Sequence, residues 1–143
     1  MKLILMILFA CFFMGCSDTK NLTSQNVVSF TDTHWQVAQL NNINIITLSE
    51  KKPFVIFHAD KRVSGHAGCN GFGGEYIIIN ESELQVGSLI GTQMACDDLE
   101  NENTLKRVLE NTRKFAIRTD SLILSDSLQQ PIAVFIALDQ RNQ

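Results

Sequence analysis

Between Trp35 and Leu138 the apolar residues arrive in short runs, each closed by a turn-forming pair or cluster, and this punctuation confines the chain to a mostly β fold. His34 through Leu40 alternates with the two-residue period of a half-buried strand. Asn41-Asn42 marks a turn, and Ile43-Asn44-Ile45-Ile46 begins the return. Phe54 through His58 combines aromatic and β-branched residues, Ala59-Asp60-Lys61 supplies a tight connection, and Arg62 through His66 follows. Tyr76-Ile77-Ile78-Ile79 and Leu84 through Leu89 are separated by Asn80-Glu81-Ser82. Phe115–Arg118, Leu122–Leu124 and Ile132–Leu138 complete the set.

One interval breaks the pattern. Asp97 to Thr112 holds neither Gly nor Pro, and Leu105, Val108 and Leu109 stand at helical spacing. Asp97 or Asp98 is suited to N-capping, with Glu100 and Glu102 in the first turns and Arg107, Arg113 and Lys114 toward the other end. Glu102 and Lys106 are also placed to pair along the helix. The expected architecture is α+β: a strongly curved antiparallel sheet of about eight short strands, partly barrel-like, with one helix packed on it. Trp35, Val37, Phe57, Ile77, Leu105, Leu109 and Ile136 are the expected buried residues, and Phe54, Ile78 and Phe135 are candidates to fill the interior.

Ahead of this region the chain is of another kind. Met1-Lys2 is a cationic start, Leu3 through Met14 is unbroken apolar sequence, and the chain turns polar directly after Gly15-Cys16. That is the pattern of a secretory signal peptide, too short to span a bilayer, which needs roughly 20 apolar residues. Phe13-Met14-Gly15-Cys16 resembles a bacterial lipobox, with Phe where Leu is usual. The resemblance implies cleavage before Cys16, acyl chains on Cys16 (palmitate among them) and a domain held at the membrane, since two or more chains anchor stably. Ser17 rather than Asp follows that cysteine, which by the enteric sorting pattern favours the outer membrane, facing the periplasm. The expected division is a signal peptide over 1–15, a polar tether over 16–32 and a domain over 33–139, with an edge strand through Val27-Val28-Ser29-Phe30 as the alternative for part of the tether.

Cleavage leaves 128 residues, enough for one domain with its own core. The net charge of −3 becomes −4 on losing Lys2, and no basic run occurs, which argues against a nucleic-acid partner. Cys69 and Cys96 remain in a chain exported to an oxidising compartment, a setting that favours a disulfide. The loop so closed has 28 residues, for which chain entropy gives about 3.5 kcal/mol. Two other uses stay open: zinc held by His66, Cys69, Cys96 and a fourth ligand such as Asp97, and a reactive thiol, although no CxxC spacing supports the latter.

The catalytic inventory is thin. His34, His58 and His66 fall on separate expected strands without HxH or HExxH spacing, and Ser64 lacks a GxSxG context. Capping accounts for Asp97-Asp98, and Glu75 reads as a surface carboxylate. The glycines at 65, 68, 71, 73 and 74 suit positive φ or close backbone approach, with Asn70 bonding nearby backbone, so Gly65, Gly68, Asn70, Gly71 and Gly74 are assigned to a structural turn. No GKS or GKT follows to make a phosphate loop. The expectation is a non-enzymatic protein with no cofactor and no metal.

Three segments carry a family resemblance. Trp35-Gln36-Val37 with Leu40 opens the domain, and Val63 through Tyr76 looks like an SG-x-x-GCN-x-(F/Y)-x-G-x-Y pattern. Gly91 through Cys96 matches T-x-M-A-C, directly before the helix. Together they resemble the META/HslJ-like domain of bacterial envelope lipoproteins. That resemblance implies a small antiparallel domain, pairing of Cys69 with Cys96, frequent secretion or lipid anchoring, and links to heat shock or envelope stress. It implies no established enzymatic activity. The fold also looks similar to the lipoprotein pilotins of secretion systems, which bind partner proteins. Function is therefore expected to be a protein-interaction or stress-protective module at the envelope; a small apolar-ligand or lipid carrier is the alternative.

Overall fold

Period-two alternation becomes a closed wall. The computed structural model describes residues 27–45, 52–95 and 99–138. Among them are β1 (Trp35–Leu40), β2 (Ile43–Asn44), β3 (Phe54–Phe57), β4 (Arg62–His66), β5 (Gly71–Asn80), β6 (Glu83–Val86) and β7 (Ile90–Gly91). Helix α1 (Leu99–Asn111) follows, then β8 (Lys114–Arg118), β9 (Ser121–Ser125) and β10 (Pro131–Ala137). Eight strands pair in the order β1-β3-β4-β5-β6-β8-β9-β10, and β10 pairs back onto β1, so the sheet closes as an antiparallel barrel. β2 and β7 hang from β1 and β5. Closure removes the long open edges that would otherwise invite pairing with another chain.

The joint between β6 and β8 is the thinnest, with one Cα pair, Glu83 with Lys114. The chain leaves the wall there to build β7 and α1 before returning. Two backbone bonds flank the pair, Leu84 N–H to Arg113 O at 3.0 Å and Phe115 N–H to Ser82 O at 2.9 Å. Turn chemistry elsewhere is as the side chains dictate: Asn41 and Asn42 take φ of 48° and 64°, the conformation a two-residue hairpin turn needs.

Inside lie Trp35, Val37, Val55, Phe57, Val63, Tyr76, Leu84, Leu122, Leu124 and Phe135, all buried. The polar tips among them are satisfied: Trp35 Nε1–H donates to Phe30 O at 3.0 Å, and Tyr76 O–H to His58 O at 2.7 Å. Two expected core residues face outward instead, Ile77 at 55% exposure and Ile136 at 37%. Each follows a large inward aromatic, Tyr76 or Phe135, and successive strand residues take opposite faces. A run such as Ile77-Ile78-Ile79 carries no phase of its own, so the aromatic sets it. Phe54 likewise turns outward and packs on His34, ring centroids 3.9 Å apart.

The helix packs against β6 and β1, which stand on opposite sides of the ring, and so lies across one mouth of the barrel. Its buried stripe is Leu105, Val108 and Leu109, continued by Glu102. The last turn holds no basic residue; Arg113 lies just beyond it and Lys114 opens β8. Arg113 still serves the helix end, since Nη1 donates to Glu110 O at 2.9 Å and Thr112 O at 2.7 Å. Asp97 and Asp98, the expected caps, lie outside the described residues.

At the other mouth sit residues 28–32, expected as part of the tether. Val28 N–H bonds Thr119 O at 3.2 Å and Asp32 N–H bonds Phe57 O at 2.8 Å. Phe30 packs on Phe57 and Phe115, both with centroids at 4.6 Å, and on Tyr76 at 5.9 Å. These contacts seat the segment against the domain core, and it forms an isolated bridge at Thr31 rather than an edge strand.

Candidate functional site

The turn joining β4 to β5 is the residue cluster from which the site is built. Ala67 N–H bonds Asn70 O at 2.9 Å, and Gly68, between them, has φ of 107°, a backbone that side-chain-bearing residues rarely adopt. Gly68 N–H also donates to His66 Nδ1 at 3.2 Å. Of the glycines assigned to this turn, Gly68 lies in it, Gly65 lies in β4, and Gly71 and Gly74 lie in β5. Gly65 serves close approach: a Cβ there would strike Phe54 O and the Phe72 ring. Glycine at 65 therefore makes room for the Phe72 ring against the strand.

Asn70 is the hub. Its Oδ1 accepts from Thr92 Oγ1 and from Met94 N–H, each at 2.8 Å. Its Nδ2 donates to Glu102 Oε2 at 3.0 Å and to Met94 O at 3.3 Å. An amide side chain has two donors and two acceptor positions, so every one is used. Glu102 Oε2 also accepts the Asn70 backbone N–H at 3.3 Å. The other carboxylate oxygen meets Lys106 Nζ at 2.8 Å, the pair expected from helical spacing. At 3% exposure Glu102 is a buried charge, not a surface one. Burial alone would push its carboxyl up; the bonds from Lys106 and Asn70 outweigh this and hold it below the ordinary value.

This network ties three separate segments: the β4–β5 turn, the stretch after β7 and the helix. The two-way bond between Asn70 and Met94 brings together the backbones that flank Cys69 and precede Cys96. Cys69 is disulfide-bonded. Cys96 and Cys16 lie outside the described residues. Sequence reasoning gave Glu102 to the helix dipole and missed its part in the site. The helical spacing of Glu102 and Lys106 was legible, but nothing local pointed to Asn70 as the second partner.

The fold also collects residues that the sequence scatters. His58 Nε2 and Ser64 Oγ are 2.7 Å apart, and His58 Nδ1 lies 3.5 Å from Asp32 Oδ1. The order Asp–His–Ser is that of a hydrolase triad. Ser64, however, sits mid-strand, paired with Ile56 in β3 and Gly73 in β5, so its N–H is committed to the ladder and does not serve an oxyanion. With Asp32 at 59% exposure, the trio acts as a surface tie between the N-terminal segment and the wall.

With this geometry in hand, comparison with known proteins places the chain. The model of the META domain matches residues 28–138, which includes Val28 and Phe30 at one mouth and all of the strands and the helix. The chain belongs to the META domain family. The META family is not known as a family of enzymes. Three solved structures share the fold. One, determined by NMR, has 22% identity and a TM-score of 0.63, covering 80% of this chain and 99% of its own. An NMR structure of a protein from Burkholderia xenovorans has 17% identity and a TM-score of 0.60, covering 78% of this chain and 85% of its own. The crystal structure of a DUF4847 family protein from Bacteroides vulgatus has 13% identity and a TM-score of 0.54, covering 78% and 96%. At these identities the likeness concerns the META fold alone. No curated protein matches the sequence.

Proposed function

We propose that this META domain protein is a lipid-anchored envelope protein that works by contact with other envelope molecules, as an interaction or stress-protective module without catalysis. The observation that carries the contact reading is the filled barrel: Trp35, Phe57, Tyr76, Phe135, Leu84, Leu122 and Leu124 occupy its interior, each under 2% exposed. Side chains packed in this way leave the outer surface as the part that meets partners. Anchoring is supported by the apolar run over 3–14 and the lipobox-like Phe13-Met14-Gly15-Cys16. In this reading the residues between Cys16 and the packed segment at Val28 serve as a tether from the membrane to the domain. Ser17 after that cysteine supports the outer membrane as its destination.

In this reading a Cys69–Cys96 bridge reinforces what Asn70 already joins. Cys69→Ala, Cys96→Ala and the double variant are each expected to lose about 2–5 kcal/mol, alike because either change breaks the bridge. Fatty-acid labelling of the wild type but not of Cys16→Ser tests the anchor, and membrane fractionation tests its destination. In crosslinked envelopes, recovery of the same protein partner by wild type and its loss on surface substitution supports the contact reading. A purified chain that turns over an ester or peptide substrate, and stops on a single substitution, refutes it.

A further inference from the structure

We infer that a cleft beside the helix-covered mouth is a binding site for a small polar molecule bearing an oxyanion, best fitted by a polyol phosphate. The inference does not depend on the anchored-module reading, because it rests only on the lining of one cleft. The cleft encloses about 420 Å³, within the range of small-ligand sites. One wall is a single face of α1: Thr104, Arg107, Val108 and Asn111, spaced as successive turns of a helix. Arg113, Asn41 of the β1–β2 turn, and Asp126 and Ser127 of the β9–β10 turn complete it, over an apolar floor of Val108 and Ile132.

Two guanidinium groups thus meet in one cleft, and among the described residues neither has a carboxylate within ion-pair distance. Arg107 makes one long contact, Nη2 to Thr104 Oγ1 at 3.4 Å. Arg113 spends Nη1 on the carbonyls of Glu110 and Thr112, which fixes its plane and leaves the other nitrogens for the cleft. Such forks match an oxyanion and bind it through charge-assisted bonds. Two of the lining turns are held by hydrogen bonds. Asn41 N–H bonds Ile132 O at 2.9 Å, and Asp126 Oδ1 accepts from Leu128 N–H and Gln130 N–H, each at 2.9 Å. Asp126, a carboxylate in the same lining, repels an oxyanion and accepts only from donors, so a bound ester would set its phosphate at the arginines and its hydroxyls at Asp126. Asn41, Asn111, Thr104 and Ser127 can donate to or accept from those same hydroxyls.

Phosphate of this kind comes either as a soluble ester or as a lipid headgroup, and the test separates them. The purified full chain is held in phosphatidylcholine bicelles and followed by amide NMR. It is titrated with glycerol 3-phosphate in one arm and with phosphatidylglycerol in the other. Saturable shifts centred on Asn41, Thr104, Asn111 and Ser127 in the first arm identify a soluble ligand, and shifts in the second alone identify a headgroup. In either case Arg107→Gln should weaken binding about tenfold, the loss of one charge-assisted bond, while Arg118→Gln, an equal charge change on β8, leaves it unaltered. No saturable shift in either arm overturns the site. Equal weakening by both variants also overturns it, since that would be diffuse charge attraction.

Discussion

The two mouths of the barrel are closed by opposite chemistry. Over one lies α1, tied by the buried Asn70–Glu102–Lys106 network, where each bond is directional and a charge is removed from water. Across the other lies the segment 28–32, held by the rings of Phe30, Phe57, Tyr76 and Phe115 and by the contact of Asp32 with His58. A buried polar network fixes one geometry and loses heavily when a member is missing. Aromatic burial is non-directional and fails by degrees. The helix end is therefore the part of the domain with a specified surface, and the N-terminal end is a plug.

Breaking the helix end should have the largest effect. Asn70→Ala strips partners from buried Glu102, Thr92 and the Met94 N–H at once, and is expected to lower stability by about 3–5 kcal/mol in urea unfolding. A loss under about 1 kcal/mol would mean that water replaces the amide and the network has no structural role. Phe30→Ala comes next. A half-buried ring at the plug should cost about 2 kcal/mol, less than a fully buried one, and the melting curve should keep its cooperativity.

The third effect is a pH dependence that separates the two ends. The Glu102 carboxyl titrates below its ordinary value in the folded state, so its contribution is complete above the unfolded pKa. It is lost as pH falls through the depressed folded pKa, because the unfolded chain then binds the proton more readily. Glu102→Gln should flatten the acid limb of a stability–pH profile, and an unchanged limb would assign acid sensitivity to other groups. Smallest is Asp32→Asn at the plug. Its pair with His58 joins side chains 59% and 33% exposed, so a change within about 0.5–1 kcal/mol is expected from thermal melts at pH 6.

Much of the barrel was legible from local pattern, because most strands are short apolar runs and the turns between them carry Asn, Asp or Gly. The helix was legible for the same reason, and so was the Glu102–Lys106 pair, which depends on spacing within one element. What failed depended on the phase of an unbroken apolar run or on a partner far along the chain. Ile77 and Ile136 read as core by composition but take the outer face set by Tyr76 and Phe135. Gly71 and Gly74 read as a turn but belong to the ten-residue strand β5. Residues 28–32 read as polar spacer because Phe30 stands almost alone among Ser, Thr and Asp, and one ring gives no periodic signal.

The sequence by itself determined the α+β class, the places of most strands and of the helix, the turn chemistry at Asn41-Asn42 and the membership that its cysteine-flanked motifs announce. Only the tertiary structure decided that β10 closes on β1, nearly the whole domain away along the chain. It alone placed Asn70 against Glu102, and Arg107 beside Arg113 in one cleft. The reason is physical. Propensity and periodicity act over one turn or one pleat, whereas ring closure, hydrogen-bond partners and shared clefts are settled by the packing of all the side chains together.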